Sequence, residues 1–266
     1  MTSQPGRTGR LPTIAAVPRV SVIAAYQFID IDDAPALRDA LQASAQARQL
    51  KGTLLVAPEG INFTLAGDTA GVQAWLAGLR GDARFACIQV KTHPAPRVPF
   101  GHLRVKLKAE IIRMNEATVR PQDGRAAAVD AATLRRWLDA GRCDAGRPVV
   151  MLDTRNAFEV DAGAFEGALD WRLRKFSDFP AALQAHRDEL QGKTVVSYCT
   201  GGIRCEKAAL WAARAGVANL LQLDGGILRY FEAHGGAPHW RGHCVVFDER
   251  GALDAHLQAA LPLPAA

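Results

Sequence analysis

Residues 194–214, Thr-Val-Val-Ser-Tyr-Cys-Thr-Gly-Gly-Ile-Arg-Cys-Glu-Lys-Ala-Ala-Leu-Trp-Ala-Ala-Arg, hold the pattern that decides the fold. The β-branched run that begins at Thr194 favours a strand, and the alanine-rich run from Ala208 favours a helix. A short loop with two glycines separates them. Cys199 is therefore expected at the carboxyl end of a strand and opposite a helix N-terminus, where open α/β sheets bind their ligands.

This placement predicts a reactive thiol. The first N–H groups of a helix are unpaired and partly positive, and glycines let backbone N–H groups converge. With the cation of Arg204, these groups should lower the pKa of Cys199 below that of a free thiol. A small core cysteine, the alternative, would not need such a loop. We assign Cys199 and Arg204 as catalytic, with a substrate or oxyanion loop made of Thr200, Gly201, Gly202, Ile203 and Cys205.

The spacing of the loop argues against a phosphatase. Only four residues, Thr200 to Ile203, lie between Cys199 and Arg204. Phosphatase loops are one residue longer because they circle a phosphate, so this loop better fits a sulfur atom or a small planar group. Cys205 either resolves an oxidised Cys199 by forming a disulfide or, as we favour, packs as a small residue beneath the loop.

Composition limits the class of protein. A chain of 266 residues has room for two modest domains. The sequence contains neither an apolar run of membrane-spanning length nor the apolar core of a signal peptide. Five cysteines without metal-ligand spacing predict a reducing cytoplasm and no zinc site. The net charge of +5 mildly favours a nucleic-acid partner.

The first half of the chain predicts a small α+β domain. Residues 1–18 are expected to form a disordered tail. Residues 19–95 follow the order βαββαβ, which is typical of a ferredoxin-like sandwich. Its predicted strands are Val20–Tyr26, Gly52–Ala57, Ile61–Ala66 and Cys87–Lys91, and its helices are Ala34–Gln49, capped by Asp32 or Asp33, and Thr69–Arg80.

Residues 96–127 predict a connector that contains a basic strand, Leu103–Ile112. Arg104, Lys106 and Lys108 alternate with apolar residues, which predicts a strand with one positive face. Such a face suits contacts to an RNA backbone. Lysines that keep an edge strand from pairing are an equally good interpretation.

The second half of the chain predicts a parallel α/β domain over residues 128–240, followed by a C-terminal segment, 241–266. Its strands alternate with helices, so the sheet should be covered on both faces. Asp153 and Arg155 follow the predicted strand Pro148–Leu152 and therefore lie on the same edge as Cys199. They are either catalytic or, as we favour, brace the fold by pairing.

Several motifs of this half resemble rhodanese domains, including Asp153–Asn156, Gly163–Ala168 and Leu223–Ile227. The resemblance is closer to one subfamily, the oxygen-dependent tRNA uridine hydroxylases. That resemblance rests on Tyr198–Ala208, Phe176–Pro180, Cys244–Arg250, Glu59–Asn62 and Arg104–Lys108. One departure is Phe63, which replaces the usual glycine of the subfamily and is expected to reshape a turn.

The resemblance implies an oxidoreductase that hydroxylates the wobble uridine of tRNA at C5. It implies dioxygen as co-substrate, no evident metal or other cofactor, and the anticodon loop as partner. Neither a membrane nor an obligatory protein partner is expected. In this hypothesis the Cys199 thiolate, or a persulfide on it, adds to C6 of uridine. Two alternatives remain: a sulfurtransferase that carries a persulfide on Cys199, and a binding module without catalysis.

Overall fold

The computed structural model describes residues 20–217 and 219–260. The predicted tail, residues 1–18, lies outside this range. The first sheet consists of β1 (Val20–Phe28), β2 (Lys51–Ala57), β3 (Gly60–Asp68), β4 (Lys91–Ala95) and β5 (Leu103–Leu107). Its spatial order is β4-β1-β3-β2-β5, and β5 is the one strand parallel to its neighbour. The first four strands have the predicted ferredoxin-like arrangement.

Two helices, α1 (Ala34–Ala47) and α2 (Thr69–Arg80), cover one face of this sheet. Successive strand residues point to opposite faces. In β3, Ile61 and Leu65 are buried against the helices, whereas Asn62 and Thr64 lie on the opposite, helix-free face. Small, polar and aliphatic residues and Tyr26 occupy the centre of that face, which remains available to a second domain.

Two helix starts illustrate how capping differs. The Asp68 carboxylate accepts the N–H groups of Ala70 and Gly71, which fixes the start of α2. Asp33 holds the N-cap position of α1 as predicted, but its side chain makes no capping hydrogen bond. It binds Arg84 instead, because that guanidinium lies beside the helix start.

The predicted fourth strand, Cys87–Lys91, is wrong in position. The chain first makes a short 3₁₀ turn at Ala83–Phe85, fixed by the Asp82 carboxylate, which accepts the Arg84 N–H. Pairing with β1 begins only at Lys91, opposite Ala24. A strand can include Pro94 here because β4 is an edge strand of the sheet.

The basic strand also differs from the prediction. It ends at Leu107 rather than Ile112, and it belongs to the first sheet rather than to a connector, because it pairs with β2. The chain turns away afterwards, since the Glu110 carboxylate accepts the N–H groups of Met114 and Asn115.

Phe63 does not reshape a turn. It lies within β3, opposite Ala25 and Leu54, and the hairpin turn precedes it at residues 58–59. Its ring is 1 % exposed and packs edge-on against Trp75, with 5.1 Å between centroids. The residue therefore fills the core beneath the helices.

The second half contains the remaining elements. Its strands are β6 (Ala128–Val129), β7 (Val149–Asp153), β8 (Gly163–Phe165), β9 (Leu169–Asp170), β10 (Thr194–Tyr198), β11 (Leu220–Leu223), β12 (Trp240–Gly242), β13 (Cys244–Val245) and β14 (Ala252–Leu253). Its helices are α3 (Ala131–Ala140), α4 (Ala157–Ala162), α5 (Phe179–His186), α6 (Ile203–Arg214) and α7 (Gly226–His234). The helix predicted over Ala181–Leu190 starts two residues earlier and ends in a 3₁₀ turn, Arg187–Leu190.

The second sheet has the order β6-β11-β10-β7-β9, and all its pairings are parallel, as predicted. Helices α3 and α7 pack on the face that carries Val196 and Tyr198. Helices α5 and α6 pack on the face that carries Val195. The sheet is therefore buried on both faces, and only the edge formed by its strand ends is open to a ligand.

The C-terminal segment that follows residue 240 packs on this second domain. Strand β12 pairs with β8, and β13 pairs with β14. The Trp240 ring lies edge-on to Phe165, with 5.3 Å between centroids, and Cys244 and Val246 join the same core. Residues 241–260 thus form part of the wall beside the sheet edge.

Candidate active site

The Cys199 loop has the predicted strand–loop–helix geometry. Cys199 directly follows β10, and α6 begins at Ile203. Gly202 has a φ of 103°, a conformation that favours glycine, and its N–H donates to the Cys199 sulfur at 3.1 Å. The helix N-terminus therefore faces the sulfur.

A second glycine turn holds the loop from outside. The N–H groups of Ile227 and Leu228, at the start of α7, donate to the carbonyls of Cys199 and Thr200 at 3.0 and 3.1 Å. Gly226 has a φ of 67°, and a Cβ there would lie 2.4 Å from the Cys199 carbonyl oxygen. Only glycine fits at this position, which explains why the Asp-Gly-Gly sequence follows β11.

The electrostatic surroundings of Cys199 favour the thiolate. Burial opposes ionisation, but a hydrogen bond from the Cys205 thiol, the charge of Arg204 and the N–H groups of Arg204 and Gly202 outweigh it, so the pKa falls to about 6. Burial and the neighbouring sulfur raise the pKa of Cys205 well above that of an ordinary thiol. Cys205 thus remains protonated and donates to the thiolate.

Arg204 is not a free cation at the site. It is 6 % exposed, and its guanidinium binds both oxygens of the Glu159 carboxylate, at 2.8 and 2.9 Å. Glu159 also accepts the Asn156 N–H, which completes a capping box at the start of α4. Arg204 therefore acts on Cys199 through its charge from a fixed position.

Asp153 and Arg155 bind each other, as the bracing interpretation of these two residues expects. Both side chains are fully buried, and the shortest contact joins Arg155 Nη2 to Asp153 Oδ2 at 2.6 Å. The same guanidinium donates to the carbonyls of Glu159 and Gly163. The pair thus ties β7 to α4 and β8, and supports Glu159 beneath Arg204.

The other loop residues have different surroundings. Thr200 donates its hydroxyl to the Val245 carbonyl at 3.3 Å, so this hydroxyl fastens the loop to β13. Ile203, Gly201 and Cys199 line a cavity of about 650 Å³. Cys199 is 1 % exposed, and its access is through this cavity.

The cavity lies between the two domains. Its opposite wall is the helix-free face of the first sheet, represented by Ala24, Tyr26, Thr53, Asn62 and Thr64. Pockets that bind small molecules are typically about 300–1,000 Å³, so the volume is that of a small-molecule site. The first domain thus supplies half of the site.

Three residues of the site could not be found from the sequence patterns. Lys91 donates to the carbonyls of Gly201 and Gly225, and the Tyr26 hydroxyl donates to Glu206 at 2.9 Å. Phe247 lines the cavity with a ring that is 64 % exposed, 6.0 Å from the Arg204 guanidinium. For Phe247, the one signal in the sequence was its position as an aromatic residue within the Cys244–Arg250 motif.

The basic strand lies on the same sheet face as the cavity. Arg104 is opposite Thr53, and Lys106 is opposite Leu55, whose side chains line the cavity. Directly opposed residues share a face, so both cations extend the cavity wall outward. Arg104, Lys106 and the following Lys108 are all exposed.

Two other kinds of feature are absent from the part of the chain that the structure describes. Within residues 20–217 and 219–260, no group of three or more His, Cys, Asp or Glu side chains is arranged to hold a metal. Over the same ranges, no helix is both long and apolar enough to cross a bilayer.

Known proteins match both halves of the chain. Residues 20–111 match the UPF0176 acylphosphatase like domain, and residues 130–233 match the rhodanese-like domain. With the two sheets described above, these matches confirm the predicted fold class: an acylphosphatase-like, ferredoxin-like α+β sandwich followed by a rhodanese-like parallel-sheet domain.

Three relatives match over nearly their whole length, and each is named tRNA uridine(34) hydroxylase. The protein of Bordetella avium is 60% identical over 89% of this chain and 97% of its own. That of Bordetella petrii is 59% identical over 92% and 96%, and that of Variovorax paradoxus 56% over 89% and 90%. The chain therefore belongs to the tRNA uridine(34) hydroxylase family.

Proposed function

We propose that this protein hydroxylates the wobble uridine of tRNA at C5, with dioxygen as co-substrate and Cys199 as nucleophile. The observation that carries the proposal is the cavity of about 650 Å³, which lies between the activated thiol and the helix-free face of the first sheet. The names of the relatives support the same substrate. A tRNA substrate also implies a cytoplasmic location.

The first step of the proposed reaction uses the thiolate. Its sulfur adds to C6 of uridine, and the electron pair of the C5–C6 double bond moves to C5, where the C4 carbonyl stabilises it as an enolate. The partial positive charges of the α6 N-terminus and the fixed cation of Arg204 favour the negative charge that moves from the thiolate to this enolate.

The remaining steps add one oxygen atom. C5 gives two electrons to dioxygen, and a proton joins the distal oxygen to form a hydroperoxide. A low-molecular-weight thiol then cleaves the O–O bond, takes the distal oxygen as a sulfenic acid and leaves a hydroxyl on C5. Loss of the C5 proton expels the Cys199 sulfur and restores the double bond. The balance is uridine, dioxygen and a thiol giving 5-hydroxyuridine and a sulfenic acid.

The tRNA would approach along the first sheet. The exposed side chains of Arg104, Lys106 and Lys108 would contact the phosphates of the anticodon loop. Bases of a loop are already single-stranded, so one can enter the cavity at modest cost, and Phe247 offers an exposed ring for stacking. Phosphate recognition thus falls to the first domain, and base stacking and chemistry fall to the second.

Mass spectrometry of tRNA nucleosides tests the proposal. A strain that lacks the gene should regain 5-hydroxyuridine with the wild-type chain and with Cys87→Ser, an exposed cysteine, but not with Cys199→Ser. In vitro, isotopically labelled dioxygen should place its label in the new hydroxyl. The mechanism would be contradicted by 5-hydroxyuridine that persists with Cys199→Ser, or by a new hydroxyl whose oxygen comes from water.

The sulfurtransferase alternative is not favoured, because relatives that match nearly the whole chain carry the hydroxylase name. It predicts rapid formation of thiocyanate from thiosulfate and cyanide, together with normal tRNA nucleosides in a deletion strain. That combination would reinstate it.

A further inference from the structure

We propose that Lys91 of the first domain is a positioning residue for the Cys199 loop. It holds the peptide between Gly201 and Gly202 so that the N–H of this peptide points at the Cys199 sulfur. The inference rests on the role of Cys199 as nucleophile in the proposed function, but not on the identity of the substrate.

The contacts of the ammonium group carry the first step. Lys91 Nζ lies 2.9 Å from the Gly201 carbonyl oxygen and 2.5 Å from that of Gly225. The first belongs to the cysteine loop and the second to the glycine turn before α7. One side chain from the first domain therefore joins two loops of the second.

The geometry of the peptide bond carries the second step. A trans peptide is planar, so its C=O and N–H point in opposite directions. No described residue has a cis peptide bond. A Gly201 carbonyl held by Lys91 therefore turns the Gly202 N–H the other way, toward the Cys199 sulfur, which accepts it at 3.1 Å. A cation on the carbonyl also polarises the N–H of the same peptide.

The other peptides of the loop are held by backbone. The carbonyls of Cys199 and Thr200 accept N–H groups from α7, and the Gly202 carbonyl accepts those of Cys205 and Glu206 in α6. The Gly201 carbonyl takes its bond from Lys91 instead. This peptide, which contacts the nucleophile directly, thus depends on the other domain for its orientation.

The charges around Lys91 are compatible with this role. Burial lowers its pKa, as does the nearby charge of Arg229, whereas the Cys199 thiolate, Glu232 and Asp224 favour the ammonium. Two carbonyl acceptors satisfy part of its need for hydrogen bonds. The first domain therefore contributes to the reactivity of the thiol as well as to the opposite wall of the cavity.

Alkylation of Cys199 by iodoacetamide tests the proposal on the full chain. Trypsin cuts after Lys193 and Arg204, so peptide 194–204 carries Cys199 without another cysteine. Its alkylation rate is measured against pH by mass spectrometry for wild type, Lys91→Met and Lys91→Arg. Lys51→Met is the matched control, since Lys51 is an exposed lysine of the same sheet and the first residue of β2.

The expected result is a loss of reactivity that depends on pH. At about pH 6, near the pKa of the wild-type thiol, Lys91→Met should react about fivefold more slowly than wild type, because a rise of about one pKa unit leaves about a tenth rather than half of the thiol ionised. At high pH both thiols are ionised and the rates should converge. Lys91→Arg, which retains a charged donor, should recover most of the rate, and Lys51→Met should match wild type.

Several outcomes would overturn the inference: equal rates for Lys91→Met and wild type at every pH, an equal slowing by Lys51→Met, or no recovery by Lys91→Arg. Should Lys91→Met unfold, Lys91→Gln replaces it, since its amide can donate to one carbonyl without the charge. A wild-type chain that is alkylated rapidly but forms no 5-hydroxyuridine would refute the proposed function and leave the role of Lys91 intact.

Discussion

The two sheets of this protein are covered differently, and the difference explains where the site lies. Helices bury both faces of the second sheet, so it can offer only the edge where Cys199 ends β10. Helices bury one face of the first sheet, and the other face lines the cavity. The nucleophile therefore comes from an edge and the opposite wall from a face, and neither domain forms the cavity alone.

Three side chains, those of Lys207, Tyr26 and Lys91, make contacts that keep the face and the edge together. Lys207, in α6, binds the carboxylates of Glu59 and Glu110, each at 2.7 Å. Tyr26 binds Glu206 in the same helix, and Lys91 binds the loop before it. All three converge on the segment that begins with Cys199, so we expect domain docking and thiol reactivity to change together.

We expect the largest loss of stability when the ammonium group of Lys207 is removed. Lys207 is 1 % exposed, and Lys207→Met would leave two carboxylates at the interface without their cation. The free energy of unfolding, measured by urea denaturation, should fall by about 3 kcal/mol, and Cys199 alkylation should slow. Lys51→Met should leave both values near wild type. A decrease of less than about 1 kcal/mol would mean that other contacts hold the domains.

Local sequence signals predicted the parts of the site that are local in the chain. A β-branched run, two glycines and an alanine-rich helix were enough to place Cys199, and the predicted strand Thr194–Tyr198 is confirmed. The capping box from Asn156 to Glu159 was also visible in principle, but its second role as the partner of Arg204 depends on tertiary packing.

The parts that local signals missed come from register and docking. Lys91 opens β4, and the prediction placed it at the end of a strand because the preceding residues, Cys87 to Val90, are mostly apolar. Its contact with Gly201 spans 110 residues of sequence. The basic strand was recognised, but its addition to the first sheet depends on pairing with β2, which no local pattern encodes.

The proposed division between recognition and chemistry can be tested on the basic strand. The double variant Arg104→Gln/Lys106→Gln should weaken tRNA binding about tenfold. Affinity should also depend less on salt: the magnitude of the slope of log affinity against log salt should decrease by about 0.7–0.9 for each phosphate that the protein no longer neutralises. Alkylation of Cys199 should not change. Filter binding at several salt concentrations measures the affinity.

Arg142→Gln is the control for this experiment, because Arg142 is exposed at the amino-terminal edge of the second sheet, away from Cys199. Equal weakening in the control and the double variant would show that binding follows net charge rather than this face of the first sheet.

A smaller effect is expected from the exposed ring beside the cavity. Phe247→Ala should weaken tRNA binding about fivefold, since stacking of one base on an aromatic ring contributes about 1–3 kcal/mol and this ring lies at the rim. Phe247→Trp should bind as well as wild type. Phe158→Ala removes another exposed phenylalanine, 52 % accessible and outside the cavity lining, and should have no effect. Equal weakening by both alanine variants would contradict a specific stacking role.

The smallest expected effect is a difference in the pH dependence of stability between Glu59 and Glu110, the two carboxylates that bind Lys207. Burial opposes ionisation of Glu110, but hydrogen bonds from Lys207 and the Met114 N–H outweigh it and lower its pKa. Burial of Glu59 outweighs its bonds to Lys207 and the Ile111 N–H, so its pKa is raised. The two side chains therefore make opposite contributions to the dependence of stability on pH.

For Glu110, the stabilising form is the ionised one. Its contribution is present above the ordinary pKa of glutamate and is lost as pH falls through the lower pKa of the folded state. Glu110→Gln should thus be less stable than wild type near neutral pH, by about 1 kcal/mol or less, and the difference should shrink in acid.

For Glu59 the sign is reversed, because a raised pKa in the folded state contributes stability that is lost as pH rises through it. Relative to wild type, Glu59→Gln should gain stability as pH rises above the ordinary range of glutamate, whereas Glu110→Gln should lose it. Urea denaturation of both variants over the same pH series measures the two slopes. Parallel slopes would mean that Lys207 binds the two carboxylates equivalently. The first domain would then meet α6 through a symmetric ion triad, and not through one carboxylate dominated by burial and one dominated by its hydrogen bonds.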